Sequence, residues 1–228
     1  MGDMAIRKFE FEIDGYYHIY NRGVDKREIF LTNDDYQRFI CTLYSANATE
    51  PIHLSDLPKW SRQVWERDRG ETIVDIGAYC LMPNHFHLLI REKNAGGITA
   101  FMQKLLTSYS LYFNLKHKRT GKLFEGPFKA TEVDTDPYLQ YLYAYIHLNP
   151  VKVTNPDGWP TKIVEDIELA KTFLDTYSYS SYHDYLMRER KEGKIINREA
   201  FPSYFDGEPD FNEFISDWMT YDYDEPSK

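Results

Sequence analysis

Cysteine is nearly absent: only Cys41 and Cys80 occur in 228 residues. They sit in the apolar contexts RFICTLY and GAYCLM without CxxC spacing, so they read as reduced, buried thiols rather than a structural disulfide. No apolar run approaches the ~20 residues that a membrane helix needs. The opening MGDMAIRKFEFEID has acids where a signal peptide needs an apolar stretch, which predicts a cytoplasmic protein with no membrane partner. Excess positive charge is also missing, with 27 Lys and Arg against 36 Asp and Glu and a net charge of −9. A nucleic-acid partner normally leaves a basic footprint, so the total argues against one.

The distribution of charge weakens that objection. Residues 1–150 hold 18 basic and 19 acidic residues, whereas 151–228 hold 9 and 17, so the acidity belongs to the C-terminal third. Within 104–129 six basic residues (Lys104, Lys116, Lys118, Arg119, Lys122 and Lys129) face one acid. Hydrophobic content of 42% and 19 tyrosines describe a folded chain rich in rings. The length fits one substantial domain with an appendage, here 1–155 followed by an acidic, aromatic extension, 156–228, expected to pack on it.

Several elements can be read from pattern. GYYHIYNRG (15–23) is β-branched and aromatic and reads as a strand. Thr32-Asn33-Asp34 can start a helix in which Phe39, Ile40, Leu43 and Tyr44 share a face. Residues 49–70 carry two prolines and two tryptophans and read as a surface insertion with one short helix. TIVDIGAYCLM and HFHLLIR, joined by Pro83-Asn84, form a hairpin. Ile98 to Phe113 keep helical spacing for four turns. LFEGPFKATEV is an edge strand, because Pro127 cannot donate to a ladder. Asp136-Pro137 begins a helix that Asn149-Pro150 ends. This order predicts an α+β, ferredoxin-like (βαββαβ) antiparallel sheet with helices on one face, plus an added helix over 137–148 and a helical extension. In that extension Asp210 to Glu213 resembles a capping box.

His85-Phe86-His87 places two imidazoles on one face of its strand, with Cα atoms ~6.7 Å apart, and a neutral pair there can hold one divalent ion. Alone, His-x-His is a weak signal and reads first as two histidines hydrogen-bonded on a half-buried face. Tyr145 and Asn149, at i and i+4, point together from the last helix. If that face covers the hairpin, Asn149 can add an oxygen ligand and Tyr145 can approach a metal-held phosphate. Tyr143 lies about 200° around the helix, and Tyr141 has no polar partner one turn on except Tyr145 itself. His147 is off that face and reads as a surface or capping histidine. His18 is open between a place beside the metal and a satisfied sheet position.

YHIYNRG, LMPNHFHLLI, SYSLYFN, LFEGPFKA and YAYIHLNPVK, in this order over about residues 10–155, resemble the single-tyrosine HUH transposases of the REP-associated group; YSYSSYHDYL (177–186) resembles the segment that follows the catalytic helix there. The resemblance implies Mg²⁺ or Mn²⁺ on His85, His87 and Asn149, Tyr145 as nucleophile, and single-stranded or hairpin DNA as substrate. Strand transfer would pass through a 5′-phosphotyrosine that stores the phosphodiester energy, and the enzyme could act as a homodimer. Arg22 and the six basic residues of 104–129 become candidate DNA contacts. The alternative is a domesticated DNA-binding protein that grips a hairpin without turnover. A metal hydrolase would need an acidic base near PNHFH, and none is there. An RNA-binding ferredoxin-like module would carry rings with glycine and basic residues on its central strands, unlike HFHLLI.

Overall fold

A computed structural model describes residues 10–154, 160 and 163–221. Its elements are β1 (Tyr16–Arg22), α1 (Asn33–Ala46), α2 (Trp60–Gln63), β2 (Val74–Met82), β3 (His85–Glu92), α3 (Gly97–Lys116), β4 (Lys129–Val133), α4 (Asp136–Leu148), α5 (Val151–Thr154), α6 (Ile167–Thr176), α7 (Tyr182–Tyr185) and α8 (Glu208–Thr220). The four strands form one sheet in the order β2-β3-β1-β4, every pair antiparallel, so the ferredoxin-like topology is as expected. The boundary placed at 155, and all but the start of the tail TYDYDEPSK, lie outside the described residues.

The side-chain period of two splits the sheet into unlike faces. Tyr17, Ile19, Tyr79, Leu81, Phe86, Leu88 and Ile90 are fully buried on one face, beneath α1 and α3. These two helices bring Phe39, Ile40, Leu43, Phe101, Met102, Leu105, Tyr109 and Phe113 to that core. Thr32 caps α1: its backbone N–H and hydroxyl both donate to Asp35, at 2.9 and 3.1 Å. At the N-terminus of α3, the buried Glu92 carboxylate accepts from the N–H groups of Gly97 and Ile98 at 3.0 and 2.6 Å.

The other face carries His18, His87, Cys80, Ala78, Met82 and Leu89, and α4 and the extension cover it. A bulge at Gly77 keeps Val74 and Ile76 on the same side as Tyr79 and Leu81. No side chain fits at Gly77, since a Cβ would stand 2.8 Å from the Phe201 ring.

The extension also closes the open edge of β2. Leu81 N–H donates to Tyr179 O and Ser181 N–H to Tyr79 O, both at 2.9 Å, and Asn197 N–H donates to Ile76 O at 2.9 Å. Paired in this way, the edge offers no free ladder to another chain. The Asp184–Arg190 ion pair, nearly buried, ties this segment together and reaches the Tyr79 hydroxyl.

Three local expectations are corrected. Helix α4 takes Thr135 rather than Asp136 as N-cap, which leaves Asp136 and Pro137 in the first turn. Helix α8 starts two residues before Asp210 because Gly207 caps it and Pro209 fits its first turn; Asp210 instead accepts from the Asp206 N–H at 3.0 Å. His147 is fully buried, with Nδ1 on Tyr143 O at 2.9 Å and Nε2 on Ser181 Oγ at 2.8 Å. The face of α4 turned from solvent is wider than the stripe that carries Tyr145, so a histidine off that stripe is core and ties α4 to the extension.

Candidate active site

Antiparallel register sets the histidines side by side. Tyr20 is opposite His87 on β1, Arg22 is opposite His85, and Cys80 and Met82 flank the pair on β2. The two imidazole centroids are 4.9 Å apart. Each ring is held through Nδ1: His85 to Asn84 Oδ1 at 2.6 Å and His87 to His18 Nε2 at 2.8 Å. With Nδ1 carrying the proton in both, each Nε2 is left as an acceptor, and that of His87 has no partner, the arrangement that presents a ligand nitrogen in a fixed tautomer. His18 thus stands beside the pair and is also a satisfied sheet histidine.

Both rings are neutral near pH 7. Burial, with the Lys152 charge, lowers His85 to about 4. His87 lies well below its ordinary value through burial and the neighbouring His18, His85 and Lys152.

Helix α4 delivers the phenol and the amide. Tyr145 is half-buried, with its ring centroid 5.2 Å from His87 and 5.8 Å from His18, edge to face in both cases. Tyr143 is buried among Tyr185, Tyr204 and Phe205, and Tyr141 packs on Trp218, so neither presents its ring to the histidines as Tyr145 does. Asn149, fully buried at the end of α4, donates its Nδ2 to the Tyr145 carbonyl at 3.2 Å. That bond turns Oδ1 the other way.

Two buried polar atoms here have no hydrogen-bond partner, His87 Nε2 and Asn149 Oδ1. Leaving such atoms unpaired costs about 1–3 kcal/mol each, so a site that keeps two is built for something else to meet them. A nitrogen lone pair and an amide oxygen suit a divalent cation. Among the described residues no group of three or more His, Cys, Asp and Glu could hold a metal, so an ion here would rest on two imidazoles and an amide, with water or phosphate oxygens completing its shell.

The cations divide into two groups. Arg22, opposite His85, is paired with Glu125 at 2.7 Å. The 121–128 segment is pinned beside it: Glu125 N–H donates to Arg22 O at 3.0 Å and Asn21 Nδ2 to Gly126 O at 3.1 Å. Lys118, Lys122 and Lys129 are exposed, and the Arg119 guanidinium lies over Phe113. Lys104 and Lys116 depart from the single track read from the sequence. Lys104 donates to Ala48 O at 3.1 Å, and Lys116 binds Asp35 at 3.0 Å and Thr32 at 2.8 Å. Twelve residues of helix separate them by roughly 18 Å, and each is bound to an opposite end of the α1 region. Tyr109 and Phe113 are core, and Tyr112 lies between Arg38 and Lys116.

Pattern reading passed over Asn84, taken only as a turn residue, and Lys152, whose ammonium is 4.6 Å from the Tyr145 ring centre. The signal for Asn84 was its position directly before His85. Lys152 lies beyond a proline, where helical spacing from Tyr145 no longer applies in a sequence.

The family model for IS200-like transposases matches residues 32–149, just over half of the chain and ending on Asn149. The chain therefore belongs to the IS200-like transposase family. No curated protein gives a match. Among solved structures, the chain is similar to a REP-associated tyrosine transposase bound to a REP hairpin, at 14% identity and a TM-score of 0.50, over 89% of this chain and 99% of that one. At that identity the likeness concerns the fold. Among the described residues no helix is long and apolar enough to cross a membrane.

Proposed function

We propose that the protein nicks and rejoins single-stranded DNA next to a hairpin, with Tyr145 as nucleophile and a divalent ion, Mg²⁺ or Mn²⁺, on His85, His87 and Asn149. The observation that carries this reading is a pair of unpartnered buried acceptors, His87 Nε2 in the ring that faces Tyr145 and Asn149 Oδ1 in the amide bonded to the Tyr145 carbonyl. When bound, the ion supplies charge neutralisation and orientation to the scissile phosphate.

The chain's own residues do the rest. His18 and Asn84 hold the imidazoles in one tautomer. Asn149 fixes its oxygen through its bond to the helix backbone. Tyr145 attacks phosphorus: the Oη–P bond forms, the P–O3′ bond breaks, the phenol proton leaves to water and the 3′-oxygen takes a proton from water. The product is a 5′-phosphotyrosine, and attack by a 3′-hydroxyl on it rejoins a strand without a nucleotide cofactor. Arg22, Lys118, Arg119, Lys122 and Lys129 lie at the end of β1 and in the chain leading to β4, where they can follow a DNA backbone.

The test uses labelled hairpin DNAs with single-stranded flanks, incubated with wild type or Tyr145→Phe, with Mn²⁺ or EDTA, and resolved on denaturing gels. The expected result is a covalent adduct with wild type and metal only. Tight binding with no adduct on any hairpin would identify a non-cutting binder.

A further inference from the structure

Tyr145 needs more than a held phosphate. Its oxygen carries negative charge as it attacks, and again as it departs when a 3′-hydroxyl reverses the step, and a phenol with an ordinary pKa of ~10 resists that charge near neutrality. The imidazoles are neutral and Asn149 is uncharged, so the donor set on the strands brings no positive charge of its own.

Among the described residues, one cation stands over the ring of the tyrosine. Lys152 Nζ lies 4.6 Å from the centre of the Tyr145 ring. Its backbone is fixed, because Lys152 N–H donates to Asn149 O at 3.1 Å and Val153 N–H to Pro150 O at 2.9 Å, making a tight turn that leads into α5. The side chain is half-buried, and its charge is felt at His85, His87 and Cys80, on both strands beneath the site. Asn149 keeps right-handed helical dihedrals at the end of α4 and α5 begins at Val151, so a residue seven positions after Tyr145, two turns on, stays on its side and reaches back to the ring.

We infer that Lys152 is a catalytic cation of this site, resting against the Tyr145 ring and offsetting the negative charge on its oxygen and on the phosphoryl group while the Oη–P bond forms and breaks. This rests on the strand-transfer reading above. A flexible ammonium suits the task, because it can move from ring face to oxygen without a fixed fork geometry. The bond changes are those already given, and Lys152 keeps its protons throughout.

The experiment measures single-turnover adduct formation at saturating hairpin DNA with Mn²⁺, together with DNA affinity and thermal unfolding, for wild type, Lys152→Gln, Lys152→Arg and Tyr145→Phe. Lys152→Gln is expected to slow adduct formation about 100-fold, the scale of losing one charge-stabilising donor, with affinity within about threefold and unchanged unfolding. Lys152→Arg keeps the charge and should recover most of the rate. The inference is overturned if Lys152→Gln forms adduct within about threefold of wild type, if its defect vanishes at saturating DNA, or if arginine does not rescue. Lack of adduct with wild type overturns the strand-transfer reading and this inference together, whereas a normal Lys152→Gln beside an inert Tyr145→Phe overturns this inference alone.

Discussion

The two faces of the sheet solve opposite problems. Beneath α1 and α3 the contacts are almost wholly apolar, with rings such as Phe39, Phe86 and Tyr109 interlocked at 4.9–5.1 Å. Beneath α4 the strands present His18, His87 and Cys80, and tyrosine hydroxyls reach backbone carbonyls, Tyr177 to Leu81 at 2.6 Å and Tyr185 to Gly77 at 2.8 Å. The first face gains its stability mainly from burial, and its polar groups are satisfied, as where the Tyr109 hydroxyl donates to the Ile29 carbonyl. The second spends some of that gain on buried groups left unpaired, which is what a reactive site requires.

The sharpest way to break the comparison is to remove one residue from each face. His87→Ala should lower adduct formation by on the order of 10³ or more, the several kcal/mol that charge neutralisation at phosphate supplies. Its unfolding temperature should fall by less than that of Phe39→Ala: Nε2 has no partner to lose, and what goes is the Nδ1 bond to His18, about 1 kcal/mol. Phe39→Ala should do the reverse. Emptying a fully buried ring position costs about 3–5 kcal/mol and lowers the melting temperature by about 10 °C, with the adduct rate per folded molecule retained. A loss of stability by His87→Ala as large as that of Phe39→Ala, or a lower adduct rate per folded molecule in Phe39→Ala, would mean that the faces are not separate in this way.

Asp35 sharpens the contrast on the stable face. Burial opposes its ionisation, yet hydrogen bonds from Lys116, His117 and the Leu31 N–H outweigh it and hold the carboxyl below its ordinary range. A carboxyl depressed in the folded state contributes stability above its unfolded value, ~3.9, and that contribution is lost as pH falls through the lower folded value. Asp35→Asn should therefore cost about 1–3 kcal/mol near pH 7, and the gap to wild type should narrow in urea titrations below pH 4. A gap that stayed constant into acid would remove the ion pairing from the explanation.

The legibility of the two faces differs for the same physical reason. Periodicity reports burial, so the stripes of α1 and α3 and the alternation of β1 and β3 are readable from residues such as Phe39, Phe101 and Phe86. The Gly77 bulge, and the extension segment that pairs with β2, depend on contacts more than 100 residues away in sequence, such as Tyr79 with Ser181, and no local pattern encodes them. At the site, His-x-His and the Tyr145–Asn149 spacing are local and visible. The continuation of the chain past Pro150 into α5, which carries Lys152 to the Tyr145 ring, and the strand pairing that brings His18 to His87, are not. Charge was the least legible property: six basic residues close in sequence diverge once α3 carries Lys104 and Lys116 to opposite ends of α1.

That divergence yields the smallest and most discriminating prediction. Arg22 stands at the end of β1 opposite His85, with a side chain 45% exposed and, among the described residues, Glu125 as its one ion partner, so a DNA phosphate can compete for it. Lys104 and Lys116 are held by groups on the far face and have little to offer a strand entering the site. Arg22→Gln should weaken hairpin binding a few-fold and reduce the slope of log affinity against log salt by about 0.7, one released counterion on a single strand. Lys104→Gln should leave both unchanged. Equal losses in the two variants would mean that DNA wraps across both faces, and the division of the sheet into a stable side and a reactive side would then hold for the protein's interior but not for its surface.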